Sequence, residues 1–274
     1  MQMWEHVPIP PQAPATEGYI DVRGTKLWYW DTGGDGEPVI LLHAGTQSAE
    51  GWPYQQPALA EAGFRTIGYS RRGYFRSDSG SADDPGTVSD DLDYLVRQLG
   101  LGPVHLVGAA QGGFIALDYV FAHPDKVRSV AIVSSYMGIS DADYAAVNKR
   151  LRPPFFASLP HDFQELSPSY RAGDPEGVEA WHKLEKAALM GDKRVNPVMA
   201  VTPNWALLET IRHPFLLATG DSDLYVPPSL LRMQASHVAH AEVHVIAEAG
   251  HSPYWEQPRA FNAMLIDFLR RVGR

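Results

Sequence analysis

Cysteine is absent from the 274 residues of the chain. A chain without thiols has no disulfide framework, no thiolate nucleophile and no cysteine-ligated metal site. Long apolar runs are absent as well, because none approaches the roughly 20 residues that a membrane-spanning helix needs. The N-terminal stretch MQMWEHVPIPPQAPATEG also lacks the basic start and apolar core of a secretory signal. We therefore expect a cytoplasmic protein with no membrane partner.

Clusters of basic residues are missing too. The 23 lysines and arginines are outnumbered by 32 aspartates and glutamates, and the net charge of −9 argues against nucleic acid as a partner. His43 and His251 lack the spacing of metal ligands, and no G-x-G-x-x-G motif opens a helix after the first strand. We expect no metal, no dinucleotide and no other cofactor. The expected partner is a small-molecule substrate, bound by a monomer or a homodimer.

Short apolar segments alternate with helical patterns along most of the chain. PVILLHAG begins with an unbroken apolar run, which is typical of a strand buried on both faces, and VHLVG is also predicted to be a buried strand. VSDDLDYLVRQLG places apolar residues at helical intervals and ends at Gly100. This alternation predicts an α/β fold with a mostly parallel sheet covered by helices on both faces.

The alternation is interrupted between residues 137 and 205. Three stretches there, DADYAAVNKRLRPPFF, PHDFQELSPSYRAGDPEGVEAWHKLEKAALM and NPVMAVTPNW, have helical patterns broken by proline. We interpret residues 137–205 as an inserted helical cap on a core formed by residues 18–136 and 206–274. The proline-rich residues 1–17 are expected to form an extended N-terminal arm.

The segment VHLVGAAQGGFIALDY combines a predicted strand, a turn of small residues and a predicted helix. In the pattern G-x-S-x-G, such a turn presents a nucleophilic serine. Between Gly108 and Gly112 the central residue is Ala110, whose methyl group cannot attack a substrate. The tip of this turn usually has positive φ, which costs a non-glycine residue roughly 1 to 3 kcal/mol. Alanine lacks the backbone freedom that glycine would bring to this turn, and it differs from serine by one oxygen. We therefore interpret the replacement of serine by Ala110 as a change in chemistry rather than an adaptation of the backbone.

Four motifs follow one another in a fixed order. They are LLHAG, SRRGYFRSD, VGAAQGG and the pair of loops TGDSDLYVPP and EAGHSPYWEQP. In this order and at these spacings the chain resembles a capped α/β hydrolase from residue 18 onward. The resemblance implies a nucleophile position at Ala110 and an oxyanion hole formed by the backbone N–H groups of Gly45 and Gln111.

His251 is the best candidate among eleven histidines for proton transfer. It follows a predicted strand on a short loop marked by glycine, and an imidazole can take and return a proton near neutral pH. Asp223, after the preceding strand, would accept the other ring N–H and fix the tautomer. Asp221, two residues away, is the competing choice for this carboxylate.

Three hypotheses account for Ala110. In the first, the working protein has serine and this chain is an inactivated Ser→Ala form that holds its substrate. In the second, alanine is native, and His251 with Asp223 acts as a general base in water-mediated hydrolysis, as a lyase or as a cofactor-free oxygenase. In the third, the chain is a non-catalytic binder of a small molecule. On the catalytic hypotheses we expect hydrolysis of an ester, a lactone or a carbon–carbon bond next to a ketone.

Hydroxyl and aromatic side chains near the predicted strand ends and motifs are further candidates for the site. Five hydroxyl residues could replace the missing nucleophile, but none occupies a strand-to-helix turn, and each is more typical of a turn or a helix cap: Thr46, Ser48, Ser70, Ser134 and Ser135. Aromatic residues in the cap and beside the motifs suggest a largely apolar substrate, and those assigned to substrate binding are Trp52, Tyr74, Trp181 and Tyr254.

Overall fold

The computed structural model describes residues 6–189 and 198–273. Its eight strands are β1 Thr16–Val22, β2 Thr25–Asp31, β3 Pro38–Leu42, β4 Arg65–Tyr69, β5 Val104–Ala109, β6 Val127–Val133, β7 Phe215–Gly220 and β8 Glu242–Ile246. The α-helices within the described residues are α1 Gln55–Glu61, α2 Val88–Gln98, α3 Gln111–Ala122, α4 Ala142–Leu151, α5 His161–Glu165, α6 Pro168–Gly173, α7 Pro175–Ala188, α8 Trp205–Leu208, α9 Pro228–Ala235, α10 Pro253–Glu256 and α11 Pro258–Val272.

All eight strands form one sheet, in the order β1-β2-β4-β3-β5-β6-β7-β8. The first two strands pair antiparallel, as do β2 and β4, and every other neighbouring pair is parallel. The carboxyl ends of β3, β4, β5, β6 and β7 therefore meet at one edge of the sheet, which is where an open α/β sheet places its binding site. The predicted fold class, a mostly parallel sheet covered by helices, is confirmed.

The central strands are buried on both faces, as their unbroken apolar runs predict. In β3, Ile40 and Leu42 point into one apolar cluster, which also contains residues of α2, α3 and α9. Val39 and Leu41 point into the other, which contains residues of α1 and α11. Helices therefore cover both faces of the sheet, because each face presents an apolar surface that must leave water.

The segment between β6 and β7 contains α4, α5, α6, α7 and α8 and no named strand within its described residues. The helix predicted in NPVMAVTPNW is wrong where the structure describes it, because residues 198–204 are not helical. Val198 instead pairs with Thr87, and the side chain of Asp118 accepts hydrogen bonds from the backbone N–H groups of Ala200 and Val201. The rest of the predicted cap, residues 190–197, lies outside the described residues.

Within the predicted N-terminal arm, residues 6–15 contain no helix or strand, but the predicted boundary is two residues too late, because Thr16 and Glu17 already pair in β1. The arm is held to the core by hydrogen bonds from the Tyr54 hydroxyl to the carbonyl of Val7, 2.7 Å, and between Gln56 and the backbone of Ala13. Among the described residues no helix combines the length and apolar character required to cross a membrane.

Candidate active site

Ala110 lies at the tip of the turn between β5 and α3. Its φ of 48° and ψ of −110° are values that residues other than glycine rarely adopt. The turn also brings backbones very close together, because a Cβ at Gly112 would lie 2.0 Å from the carbonyl oxygen of Leu42 and one at Gly108 would lie 2.5 Å from that of Gly112. Glycines at these two positions therefore allow β3, β5 and α3 to approach one another closely, with Ala110 at the point where β5 turns into α3.

His251 and Asp223 form a buried pair beside this turn. Nδ1 of His251 lies 3.0 Å from both carboxylate oxygens of Asp223 and donates to them. The carboxylate also accepts the backbone N–H groups of Tyr225 and Val226 and the hydroxyl of Thr219. Because Nδ1 carries the proton in this arrangement, Nε2 of a neutral His251 is the basic nitrogen.

The electrostatics of the pair favour an ionised carboxylate and a basic imidazole. Burial by itself would raise the pKa of Asp223. The facing imidazole and the hydrogen bonds that the Asp223 carboxylate accepts instead lower this pKa below its ordinary value. Burial by itself would lower the pKa of His251, but the charge of Asp223 and the hydrogen bond to its carboxylate raise that pKa above its ordinary value. The imidazole is therefore a stronger base than a free histidine.

Asp221 does not contact His251 in this arrangement. Its side chain is exposed, and its carboxylate accepts a hydrogen bond from the hydroxyl of Ser222. Of the two candidate carboxylates, the structure brings Asp223 to the histidine.

The loop that follows β3 lies against the start of α3. Gln111 is the first residue of that helix, where backbone N–H groups have no partner within the helix. A Cβ at Gly45 would lie 3.2 Å from Oε1 of Gln111, so the two residues predicted to supply the oxyanion hole are neighbours. Two side chains hold this arrangement: the hydroxyl of Tyr74 donates to the carbonyl of Gly45, 3.0 Å, and Arg71 donates to Oε1 of Gln111, 2.7 Å.

A pocket of about 290 Å³ joins these groups. It contains five of the residues predicted for the site, namely Gly45, Tyr74, Ala110, Gln111 and His251. Five further residues complete its wall: Thr46, Phe114, Tyr136, Glu165 and Tyr225. A smaller cavity of about 110 Å³ shares Tyr74, Gln111 and Phe114 with it and is also lined by Arg71 and Met199. Aromatic rings and polar groups therefore share the wall of the main pocket, so a small molecule bound there would meet both ring surfaces and hydrogen-bonding groups.

Three aromatic residues predicted to bind substrate are not among the residues that line this pocket. Trp52, Trp181 and Tyr254 are almost fully buried and belong to one apolar cluster, in which the rings of Trp52 and Tyr254 lie 4.6 Å apart. Trp181, on α7, brings the inserted helices into this cluster. The prediction failed for these three residues because a large ring can fill the space between two packed layers as readily as it can line a cavity.

The alternative hydroxyl residues are divided by the structure. Thr46 lines the pocket, where its hydroxyl donates to Glu165, 3.2 Å. The four serines do not line it. Ser48 caps a short 3-10 helix, Ser70 accepts the N–H of Ala49, Ser134 lies near Thr219, and Ser135 accepts the N–H of Met137.

Two residues of the pocket wall were missed by the sequence reasoning and contact the predicted base. The ring of Tyr225 lies 4.2 Å from that of His251, and its hydroxyl donates to Gln164. Glu165, at the end of α5, is buried, and its main-chain carbonyl accepts the N–H groups of His251 and Ser252 at 2.7 and 3.2 Å. Tyr225 lies within the TGDSDLYVPP motif, two residues after Asp223, so its position in the sequence could have placed it near the site. Glu165 is 86 positions before His251, and nothing in the sequence pattern links the two.

No group of three or more histidine, aspartate or glutamate side chains that could hold a metal ion occurs within residues 6–189 and 198–273. His43 is buried beside Arg71, and both burial and that positive charge keep its pKa well below the ordinary value. Its ring contacts the carbonyl of Ala44 and the backbone N–H of Arg71. These contacts indicate a structural role in the loop after β3.

The chain matches one protein family and several known proteins. A family model described as "alpha/beta hydrolase fold" matches residues 37–166 and 139–258. The chain is 28% identical over 282 residues to a 2-hydroxy-6-oxononadienedioate/2-hydroxy-6-oxononatrienedioate hydrolase of Burkholderia vietnamiensis, covering 94% of this chain and 96% of that protein. It is 26% identical over 267 residues to a 2-hydroxy-6-oxo-6-phenylhexa-2,4-dienoate hydrolase of Comamonas testosteroni, covering 89% and 92%.

A similar solved structure is that of a thermophilic esterase from Thermogutta terrifontis. Its TM-score is 0.75 at 24% identity, and the match covers 94% of this chain and 99% of the esterase. At this level of identity the likeness demonstrates a shared fold.

Proposed function

Because the chain belongs to the alpha/beta hydrolase fold family and is an enzyme of that class, we propose that it hydrolyses a carbonyl compound. The bond cleaved is an ester, a lactone or a carbon–carbon bond next to a ketone, in a small and largely apolar molecule. The observation that carries the proposal is the buried pair of His251 and Asp223 on the wall of a pocket that also contains Ala110.

In the chain as it stands, His251 activates water. Nε2 takes a proton from a water molecule in the pocket, and the water oxygen attacks the carbonyl carbon of the substrate. The backbone N–H groups of Gln111 and Gly45 then stabilise the oxyanion, while Asp223 stabilises the imidazolium. This scheme requires no side-chain nucleophile, and it is therefore compatible with a methyl group at position 110.

The chemistry of the pocket supports this substrate class. Phe114, Tyr136 and Tyr225 present aromatic surface to a volume of about 290 Å³, which suits a small molecule with a ring or conjugated segment. The names of the two relatives describe oxo compounds with conjugated double bonds, one of them carrying a phenyl group. A conjugated ketone is accordingly our first choice of substrate within the proposed class.

A second candidate is a serine hydrolase inactivated by Ser→Ala at position 110. The observation that favours it is the turn itself, because Ala110 keeps a φ of 48° where glycine would relieve the strain. In a serine protease, loss of the nucleophile lowers turnover by about 10^6 and leaves a residual acceleration of roughly 10^3 to 10^4 over water. Such a chain would bind its substrate and convert it very slowly.

The proposal is tested by replacing His251 with alanine. The substrates are 4-nitrophenyl acetate, dihydrocoumarin and 2-hydroxy-6-oxo-6-phenylhexa-2,4-dienoate, and kcat/KM is measured on each. Loss of the base should lower kcat/KM by at least about 100-fold. We expect the variant to fold, because Asp223 keeps its hydrogen bonds from Thr219, Tyr225 and Val226.

His244→Ala is the matched control. His244 lies on β8, is partly exposed and is not among the residues of the pocket. This variant should retain the activity of the unaltered chain. Full activity of His251→Ala on every substrate would overturn the proposal, and so would an unaltered chain that converts none of the three.

A further inference from the structure

Glu165 is a buried carboxylate that the hydrolysis of a carbonyl compound by His251 leaves without a role. It is the last residue of α5, only 4% exposed, and its side chain lines the same pocket as Ala110 and His251. Buried carboxylates are rare in proteins unless they are paired or have a function. A carboxylate in the wall of a candidate active site is therefore a candidate participant in its chemistry.

The side chain is held by two loops of the core. Oε1 accepts the hydroxyl of Thr46, 3.2 Å, and Oε2 accepts the hydroxyl of Ser252, 3.4 Å. These residues adjoin Gly45 and His251, so the carboxyl group bridges the loop of the predicted oxyanion hole and the loop of the predicted base. Both oxygens are fixed at the pocket by neutral donors.

The titratable groups that influence Glu165 come from several elements. They are His251, Asp223, His161, Tyr225 and Tyr254. Burial raises the pKa of Glu165, and the nearby His251 and the hydrogen bond from Thr46 oppose this only in part. The carboxyl group therefore keeps its proton to a higher pH than an exposed glutamate does.

We propose that Glu165 is a second catalytic proton-transfer residue, a general acid that protonates the leaving group while His251 acts as the base. The inference rests on the proposed function. It follows from the placement of two titratable side chains on one pocket wall, one of them hydrogen-bonded to Asp223 and the other to neutral hydroxyls. A site with a separate acid and base can cleave an ester without a covalent intermediate.

The proposed steps balance for an ester. A water proton moves to Nε2 of His251 as the carbon–oxygen bond forms, and the carbonyl electron pair moves onto the oxygen. When the carbonyl re-forms, the bond to the alkoxy or aryloxy group breaks, and the proton of Glu165 passes to that oxygen. The proton on His251 then restores Glu165, and the net reaction is ester plus water to acid plus alcohol.

The leaving group provides a test that a structural role would not reproduce. A general acid matters most when the departing oxygen is strongly basic, and least when it is weakly basic. We would measure kcat/KM for 4-nitrophenyl, phenyl and methyl acetate with the unaltered chain and with Glu165→Gln. The variant should lose about 100-fold or more on phenyl and methyl acetate and less than about threefold on 4-nitrophenyl acetate.

Glu61→Gln is the control, since it makes the same side-chain substitution at an exposed residue of α1 outside the pocket. It should leave the ratios among the three esters unchanged. Thermal unfolding of each variant confirms that it is folded. If Glu165→Gln does not fold, the unaltered chain still provides the test, because a working general acid makes its rates depend only weakly on the leaving group.

The outcomes separate the two proposals. A uniform loss on all three esters with Glu165→Gln, or a steep dependence on the leaving group in the unaltered chain, would overturn the role of Glu165. In that case inactivity of His251→Ala would leave the proposed function standing. Full activity of His251→Ala would overturn both.

Discussion

Replacing Ala110 with serine adds one oxygen where β5 turns into α3. The backbone strain at φ 48° is already present with alanine, and serine shares its Cβ, so the backbone cost of folding does not change. Ala110 is only partly buried and its side chain faces the pocket, so the new hydroxyl is not buried in the apolar core. We expect the free energy of unfolding to change by less than about 1 kcal/mol.

The change in turnover distinguishes the two candidate functions. If the pocket is arranged for an activated water molecule, the serine hydroxyl competes for the same space, and we expect a gain of less than about tenfold, or about 1.4 kcal/mol in the activation free energy. If this chain is an inactivated serine hydrolase, the gain should approach about 10^6, or roughly 8 kcal/mol.

The assay combines kcat/KM on the three substrates given above with mass spectrometry after treatment with a fluorophosphonate, which labels activated serines. Ala110→Gly is the control, because it relieves the positive φ and adds no nucleophile. It should match the unaltered chain in turnover and remain unlabelled. A serine variant that is labelled and gains 10^4-fold or more would refute the water-based reasoning and establish the second candidate.

Two further predictions concern the base and the turn. Burial alone would lower the pKa of His251, but Asp223 raises it above its ordinary value, so activity should rise with pH through that raised pKa. Asp223→Asn should move this limb of the kcat/KM profile to lower pH, and an unmoved limb would contradict the assignment. By the same shift, the stability contributed by His251 is present below about pH 6.5 and lost as pH rises through its folded-state pKa, which urea unfolding at several pH values can measure. Gly112→Ala would place a Cβ 2.0 Å from a backbone oxygen and should cost more than about 3 kcal/mol in urea unfolding, whereas Gly102→Ala, with no atom within 4 Å of its Cβ, should cost less than about 1 kcal/mol; equal costs would refute the packing argument.

The fold could be predicted from the sequence because local patterns carry it. PVILL is apolar at every position and VHLVGA at every position but His105, and the structure buries both alternating sets of β3 residues in separate clusters. The predicted helix before Trp205 failed because its backbone is held by distant partners. Asp118, about 80 positions away, accepts the N–H groups of Ala200 and Val201, and no local pattern encodes such a contact.

The site was predictable to the extent that its residues belong to motifs. His251, Asp223 and Ala110 lie in short segments whose glycines and strand ends mark them. Trp181 illustrates the limit, because size and apolarity predict that a ring is buried but not whether it faces a cavity or a packed layer. Glu165 could not be predicted, because its contact with His251 depends on how the helices between β6 and β7 pack against the sheet.

The backbone hydrogen bonds to the carbonyl of Glu165 couple the position of α5 to that of the loop that carries His251. Lifting the end of α5 breaks two hydrogen bonds, each worth about 1 kcal/mol, and separates the loop that carries the imidazole from α5. After those two bonds break, the imidazole is still hydrogen-bonded to Asp223, and the N–H of Gly250 still donates to Glu256. Movement of Phe114 and Tyr136, whose rings lie 5.2 Å apart, requires no such break. Displacing these two rings would therefore leave the hydrogen bonds between α5 and the loop of His251 intact.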